Sequence, residues 1–352
     1  MTDNQHPFIL HDIGCFFSRK VFMSVQSRFP FLVADIGGTH TRYGLVTRRD
    51  SLTGVYEITQ SREFFSADHD SFSLSLDTYL ESITGDRPRN ACIAIAGPVN
   101  DDMVELTNLK WQFSVSQLKK RYGFDCLLVI NDFAALAYGV PHMAESDLFK
   151  IKSGQTDDQG AKVVIGPGTG LGVAALVRTS DGYFPVAGEG GHVAIAPGND
   201  IELDLFKILR QQQQHISAED LLSGRGLVNL YRGYAKLHQQ TANAYSPAEV
   251  TQQALTNDDP MCVEALNSFL GLLGSFCGDL ALIFGATGGV YLGGGILPKL
   301  QPHICDSQFL SRFSNKGLMR KMVKDIGVKL ITHNQPAFIG AAAWLNDHLD
   351  KQ

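Results

Sequence analysis

The 352-residue chain is poor in charge, with 19% Asp, Glu, Lys and Arg together, and it has no basic run or stripe. Its 30 Lys and Arg against 36 Asp and Glu leave a net charge of −6. Nucleic acid is thereby excluded as the main partner. Six cysteines (15, 92, 126, 262, 277 and 305) never form a C-x-x-C pair. Cys92 and Cys126 fall in apolar runs, so buried free thiols of a reducing cytosol are expected rather than disulfides or zinc ligands. A signal-peptide pattern is missing, since the first positive residue, Arg19, follows the apolar stretch instead of preceding it. Residues 1–22 show no period, and Met23 is an expected start, so a chain beginning there is expected to keep its activity. An uninterrupted membrane span is missing too. Phe269 to Pro298 carries a single charge, Asp279, but Gly285-Ala-Thr-Gly-Gly289 breaks it, and a buried helix, a turn and a short strand are expected. Two nucleotide motifs are absent as well. No G-x-x-x-x-G-K-[ST] occurs, and Leu171 stands where a G-x-G-x-x-G beginning at Gly166 needs its last glycine.

What is present is a pair of glycine-threonine turns after β-branched runs, Phe31-Leu-Val-Ala-Asp-Ile-Gly-Gly-Thr-His-Thr-Arg42 and Val163-Val-Ile-Gly-Pro-Gly-Thr-Gly-Leu-Gly-Val173. Each reads as a buried strand feeding a tight turn whose backbone N–H groups can close on an anion. Two such loops suggest a clamp on a phosphate chain, and they hint at a duplicated core. The length favours two domains, and 44% hydrophobic residues suffice for large cores. Further strands are expected at Ala91–Ile95, Leu127–Ile130 and Val290–Leu292. Helices are expected near Ser71–Ile83, Phe133–Gly139, Leu203–Gln213, Ala218–His238 and Ala248–Leu255. The polar stretch Lys150–Lys162 is the expected hinge.

Candidate chemistry lies at four places. Asn131-Asp132 ends an apolar strand, where open α/β sheets place ligands, and reads equally as a helix cap or as a carboxylate for base chemistry. Gly188-Glu-Gly-Gly-His192 would present Glu189 and His192 from a flexible loop, or form a plain turn. Ser217 with Asp220 makes a capping signature that puts Glu219 in a first helical turn, a sufficient structural reason for an acid there. Gly293-Gly-Gly295 follows a strand and allows either a flat base or a packed helix to approach.

In this order the motifs DIGGTHTR, CIAIAGPV, LTNLKWQFS, INDFAALAYGV, GPGTGLGVA, GEGGHV, ISAEDLLSGRGLVNLY and GGVYLGGGI resemble the bacterial glucokinases of the hexokinase–actin–chaperone ATPase superfamily, over nearly all of Phe31–Leu349. The resemblance implies an α/β protein of two ribonuclease-H-like α/β domains flanking a deep cleft. Residues 1–142 with 333–352 would form the small domain and 143–332 the large one. It implies ATP-dependent phosphorylation of glucose, in the cytoplasm, by a homodimer that touches neither nucleic acid nor membrane. Asp132 would be the catalytic base. Asn108, Asn131, Asp132, Glu189, His192 and Glu219 would bind the sugar. Asp35, Gly37, Gly38 and Thr39 would face the phosphates, with Asp35 holding Mg²⁺ through water. Gly168, Thr169 and Gly170 would form the second phosphate loop, and Gly294 and Gly295 the adenosine site. Pro167 departs from the family's usual Ala, and no Cys-rich zinc motif follows the GEGGH segment. A kinase for another hexose would keep every loop, whereas a non-catalytic sugar-binding or ATPase-switch protein would lack the acid at 132.

Overall fold

The computed structural model describes residues 28–352 apart from 98, 100, 101, 107, 108 and 156. The expectations for residues 1–22 and for Asn108 lie outside the described residues. The first half contains β1 (Phe31–Ile36), β2 (His40–Arg49), β3 (Tyr56–Phe65), β4 (Asn90–Ile95), a small ribbon of β5 (Met103–Glu105) and β6 (Gln112–Ser114), and β7 (Cys126–Asn131). Its sheet runs β3-β2-β1-β4-β7, antiparallel through the first three strands and parallel beyond. Alternation along β1 explains its place at the centre. Leu32, Ala34 and Ile36 pack under the helix Phe72–Ser82. Phe31 and Val33 face the opposite core, with the helices Asp132–Gly139 and Pro336–Asp350. A strand buried on both faces in this way gains about 1.5–3 kcal/mol for each large apolar side chain removed from water.

The second half repeats the scheme. Here β8 (Leu148–Lys152), β9 (Lys162–Pro167), β10 (Leu171–Thr179), β11 (Gly182–Gly188), β12 (Val290–Leu292) and β13 (Val328–Ile331) form one sheet in the order β11-β10-β9-β12-β13-β8. β9 takes the place of β1, with β10 and β11 antiparallel on one side and β12 and β13 parallel on the other. The duplicated core therefore holds at the level of topology, and the glycine-threonine turns occupy matching places, joining β1 to β2 in one half and β9 to β10 in the other.

Two expectations need correcting. The hinge expected at Lys150–Lys162 begins inside β8, which pairs antiparallel with β13. Alternation in Leu148-Phe-Lys-Ile-Lys152 makes an edge strand out of a segment that looked merely polar. Downstream, the helix expected from Ala218 starts at Gly224, capped by Ser223. The capping contacts of Ser217 and Asp220 do form, with Ser217 Oγ donating to Asp220 at 2.7 Å. They close a single turn, in which the Leu222 N–H reaches the Ala218 carbonyl, and no helix grows from it.

One helix lies between the halves. Ala134–Val140 packs in one cluster with Val164, Ala174 and Leu176 of the second sheet and Ala341–Ala343 of the C-terminal helix. The crossing of the two helices is at backbone distance, since a Cβ on Gly340 would lie 1.6 Å from the Ala135 carbonyl oxygen. The apolar segment before Gly285 is the helix Pro260–Ile283, the one described helix long and apolar enough to span a bilayer. In its apolar window 72% of residues are buried in the second half's core. Cys92, Cys126, Cys262 and Cys277 are buried and free, and Cys305 is exposed.

Candidate active site

Asn131 closes β7 and caps the helix that follows, its Oδ1 accepting the Ala134 N–H at 3.0 Å. Its Nδ2 donates to the Gly97 carbonyl at 3.2 Å and to Asp132 Oδ1 at 3.1 Å. With the cap supplied by Asn131, Asp132 is free for other work. One of its oxygens accepts the Phe133 N–H at 2.9 Å. Burial pushes its pKa up to about 7, helped by the Asp35 carboxylate and, more weakly, by Glu189, while the Phe133 N–H opposes the rise. A carboxyl poised near neutrality at a strand end is what general base chemistry needs.

The first glycine turn is held tightly. Gly37 N–H donates to the His40 carbonyl at 2.9 Å. Ser66 clasps the turn from β3's end, its Oγ donating to Gly37 O at 3.1 Å and its N–H to Thr39 O at 2.9 Å. Gly38 and Thr39 form the tip, with Thr39 exposed. Asp35 at the end of β1 is half-buried, and Arg42 Nη1 lies 3.5 Å from its carboxylate. Burial raises the Asp35 pKa and the Arg42 charge opposes it.

In the second turn Gly168 N–H donates to Gly170 O at 2.8 Å, and Gly224 N–H donates to Gly168 O at 2.9 Å. The loop is thus docked on the start of the helix Gly224–Leu237. Gly172 and Gly166, paired across β10 and β9, leave a dent that receives the Phe133 ring. A Cβ on Gly172 would lie 1.9 Å from Phe133 Cε2, and one on Gly166 2.6 Å from its Cζ. Asp132's neighbour is thereby wedged against the second glycine hairpin.

Glu219, expected in a helical turn, is in fact tied to this loop. Its Oε2 accepts the Leu171 N–H at 2.9 Å, and Arg225 Nη2 donates to its Oε1 at 3.3 Å. Its own N–H donates to Gly191 O at 2.8 Å, which knits it to the segment carrying Glu189 and His192. Those two side chains are exposed, 4.0 Å apart, on a short 3-10 turn. Gly191 is required there, because a Cβ would fall 2.3 Å from Leu171 O. Asn131 and Glu189 line one cavity of about 380 Å³, between β7 and β11.

A larger cavity of about 820 Å³ adjoins the second loop, with Gly168 and Thr169 on one side and Gly295 on another. Leu227, Val228 and Ile296 make it apolar, and Arg225, Arg232 and Lys299 bring positive charge. That combination suits a flat heterocycle carrying phosphates. Gly294 turns the chain there with φ +81°, its backbone packed on Pro167 O. Sequence reasoning missed Ser66, Arg225 and the helical walls of this cavity, since nothing in their local sequence marks them. Glycine alone carried a local signal.

The glucokinase family model matches residues 32–348. A glucokinase of Saccharophagus degradans is 41% identical over 318 residues, covering 90% of this chain and 98% of its own. The crystal structure of a glucokinase from an Antarctic psychrotroph, also 41% identical, superposes with a TM-score of 0.84 over 90% of this chain and 99% of that one. A Streptomyces griseus ROK family glucokinase, solved with glucose and AMPPNP, shares the fold at 19% identity and a TM-score of 0.61, over 90% of this chain and 99% of that one.

Proposed function

The chain belongs to the glucokinase family, and we propose that it transfers the γ-phosphoryl group of ATP to the 6-hydroxyl of glucose with Asp132 as general base. The observation that carries this reading is the carboxyl at the end of β7, released from capping by Asn131 and raised to a pKa of about 7. Phosphoryl transfer has a loose transition state, so catalysis consists mainly of alignment and charge neutralisation. Asp132 takes the hydroxyl proton as the sugar oxygen attacks phosphorus in line and the bond to the ADP leaving oxygen breaks. Asn131, Glu189, His192 and Glu219 orient the sugar. Gly37, Gly38 and Thr39 face the phosphates from one side, and Gly168, Thr169 and Gly170 from the other. The adenosine occupies the large cavity against Gly294 and Gly295.

Mg²⁺ is held by one or two carboxylates and completes its shell with phosphate and water oxygens. Asp35, a half-buried acid beside the first turn, fits that donor set. When bound, the ion neutralises charge on the phosphates. The two lobes of this reading divide as 1–142 with 333–352 against 143–332, supported by the sheets and by the return of the C-terminal helix to the first half. A cytoplasmic homodimer is proposed with it, and sedimentation of the purified protein tests the dimer.

A coupled assay of ADP release over a panel of hexoses tests the substrate. Glucose is expected to give the highest kcat/KM, and a higher value for mannose, fructose or an amino sugar would reassign it. The pH profile offers a separate check. The base must be ionised to accept a proton, so kcat/KM for glucose should fall as pH drops through about 7 and level off above it. An activity flat from pH 5 to 8 would remove Asp132 from that role. For the sugar contacts, Glu189→Ala and His192→Ala should each raise the glucose KM well above any change in the ATP KM. Losing one hydrogen bond to a charged group weakens binding by about 1.5–3 kcal/mol. Equal effects on both substrates would assign the loop a folding role.

A further inference from the structure

Arg225 occupies a position that the proposed chemistry leaves without a task. It follows Gly224 at the start of the helix Gly224–Leu237, where Gly224 itself is bonded to Gly168 of the second loop. Its side chain is 63% exposed and lines the large cavity beside Gly168 and Thr169. The guanidinium meets two carboxylates, Glu219 at 3.3 Å and Asp220 at 3.6 Å. Asp220 is already engaged by Ser217 through its other oxygen. Glu219, only 19% exposed at its side chain, gives its second oxygen to the Leu171 N–H. In this arrangement the acid proposed for the sugar has one oxygen on the phosphate loop and the other on a cation facing the nucleotide cavity.

We infer that Arg225 is a positioning residue through which the nucleotide cavity and the sugar site are coupled, by way of Glu219. The inference rests on the proposed placement of the two substrates. A polyphosphate entering beside Gly168 and Thr169 offers Arg225 more charge, and a bidentate geometry, than one carboxylate oxygen at 3.3 Å does. Arg225 swings to the phosphates, and Glu219 Oε1 is left free to accept a sugar hydroxyl. Nucleotide binding thereby tightens sugar binding. By linkage, sugar tightens nucleotide binding by the same factor.

Calorimetric titration of glucose into the full-length protein, with and without saturating AMPPNP and Mg²⁺, tests the coupling. In the wild type the nucleotide analogue should lower the glucose Kd about fivefold, at the lower end of ordinary coupling strengths. Arg225→Ala should bind glucose with the tight Kd even without analogue, the ratio falling to about one. AMPPNP itself should bind more weakly to that variant. Arg225→Lys, keeping the charge, should retain part of the coupling. Lys299→Ala, which removes a different cation from the same cavity, should leave the ratio as in the wild type. The inference is overturned if the wild type shows no coupling, or if Arg225→Ala keeps it in full. An Arg225 that merely stiffens its helix would give that second result, with a lowered melting temperature. Failure of the wild type to bind glucose or AMPPNP at all is a different outcome, and it would remove the functional reading itself.

Discussion

Replacing Asp132 by Asn is expected to lower kcat by about 10²–10⁴ while AMPPNP binding stays as it is. The amide has nearly the size of the carboxyl, and the helix keeps its cap because Asn131, not Asp132, accepts the Ala134 N–H. Only the ability to take a proton is lost. Stability supplies an independent readout. The Asp132 pKa is about 7 in the folded protein and about 4 in an unfolded chain. The folded state therefore holds the proton more tightly, and ionising Asp132 costs stability as pH rises from about 4 through about 7. Asp132→Asn removes that cost. Its melting temperature should exceed the wild type's at pH 8, and the difference should vanish as pH falls toward about 4. A variant retaining more than about a tenth of wild-type kcat would defeat the assignment of the base.

The parts of this molecule that depend on neighbouring residues in the chain were legible in its sequence. Short apolar, β-branched runs placed β1, β4, β7, β9 and β12, and glycine marked both turns, because a strand and a tight turn are each specified over a few residues. The repeated topology was hinted at by the turns alone, since only they needed the same residues twice. What stayed hidden depends on contacts made across the chain. Ser66 clasps the first turn from 27 positions beyond Thr39, and Glu219 bonds Leu171 from 48 positions away. The capping signature at Ser217 and Asp220 was real, yet Glu219 is held by Leu171, Arg225 and Gly191 in a turn that does not continue as helix. The walls of the large cavity come from the helices Gly224–Leu237 and Pro247–Thr256, whose sequences show only amphipathic faces, and no local rule tells an apolar side chain lining a ligand cavity from one in the core. The end of β8 was mistaken for a hinge because an edge strand tolerates lysines and so has the polarity of a linker: Lys150 is exposed, and the half-buried Lys152 turns its Nζ to the Ile326 carbonyl.

One close contact between these distant parts is the Phe133 ring against Gly172, and filling it should be among the most damaging small changes available. In Gly172→Ala the new Cβ would stand 1.9 Å from Phe133 Cε2 and 2.0 Å from Cδ2, where carbon atoms normally rest about 3.5–4.0 Å apart. The ring has little room to yield toward Gly166, whose own missing Cβ leaves only 2.6 Å to Cζ. Either the hairpin opens or Phe133 moves, and Phe133 carries with it the N–H bonded to Asp132. Overpacking of this kind costs about 1–3 kcal/mol, so the melting temperature should drop. Misplacing a reacting group by about 1 Å costs about 10²-fold in rate, so kcat should fall further than stability alone explains. Gly327→Ala is the matched control, since its Cβ would meet nothing nearer than 3.6 Å, and it should behave as wild type. Adding Phe133→Leu to Gly172→Ala makes room for the methyl group and should return part of the lost stability. Wild-type kcat and melting temperature in Gly172→Ala would show that the ring is not held there. No recovery in the double variant would place the damage in the strand and not at the wedge.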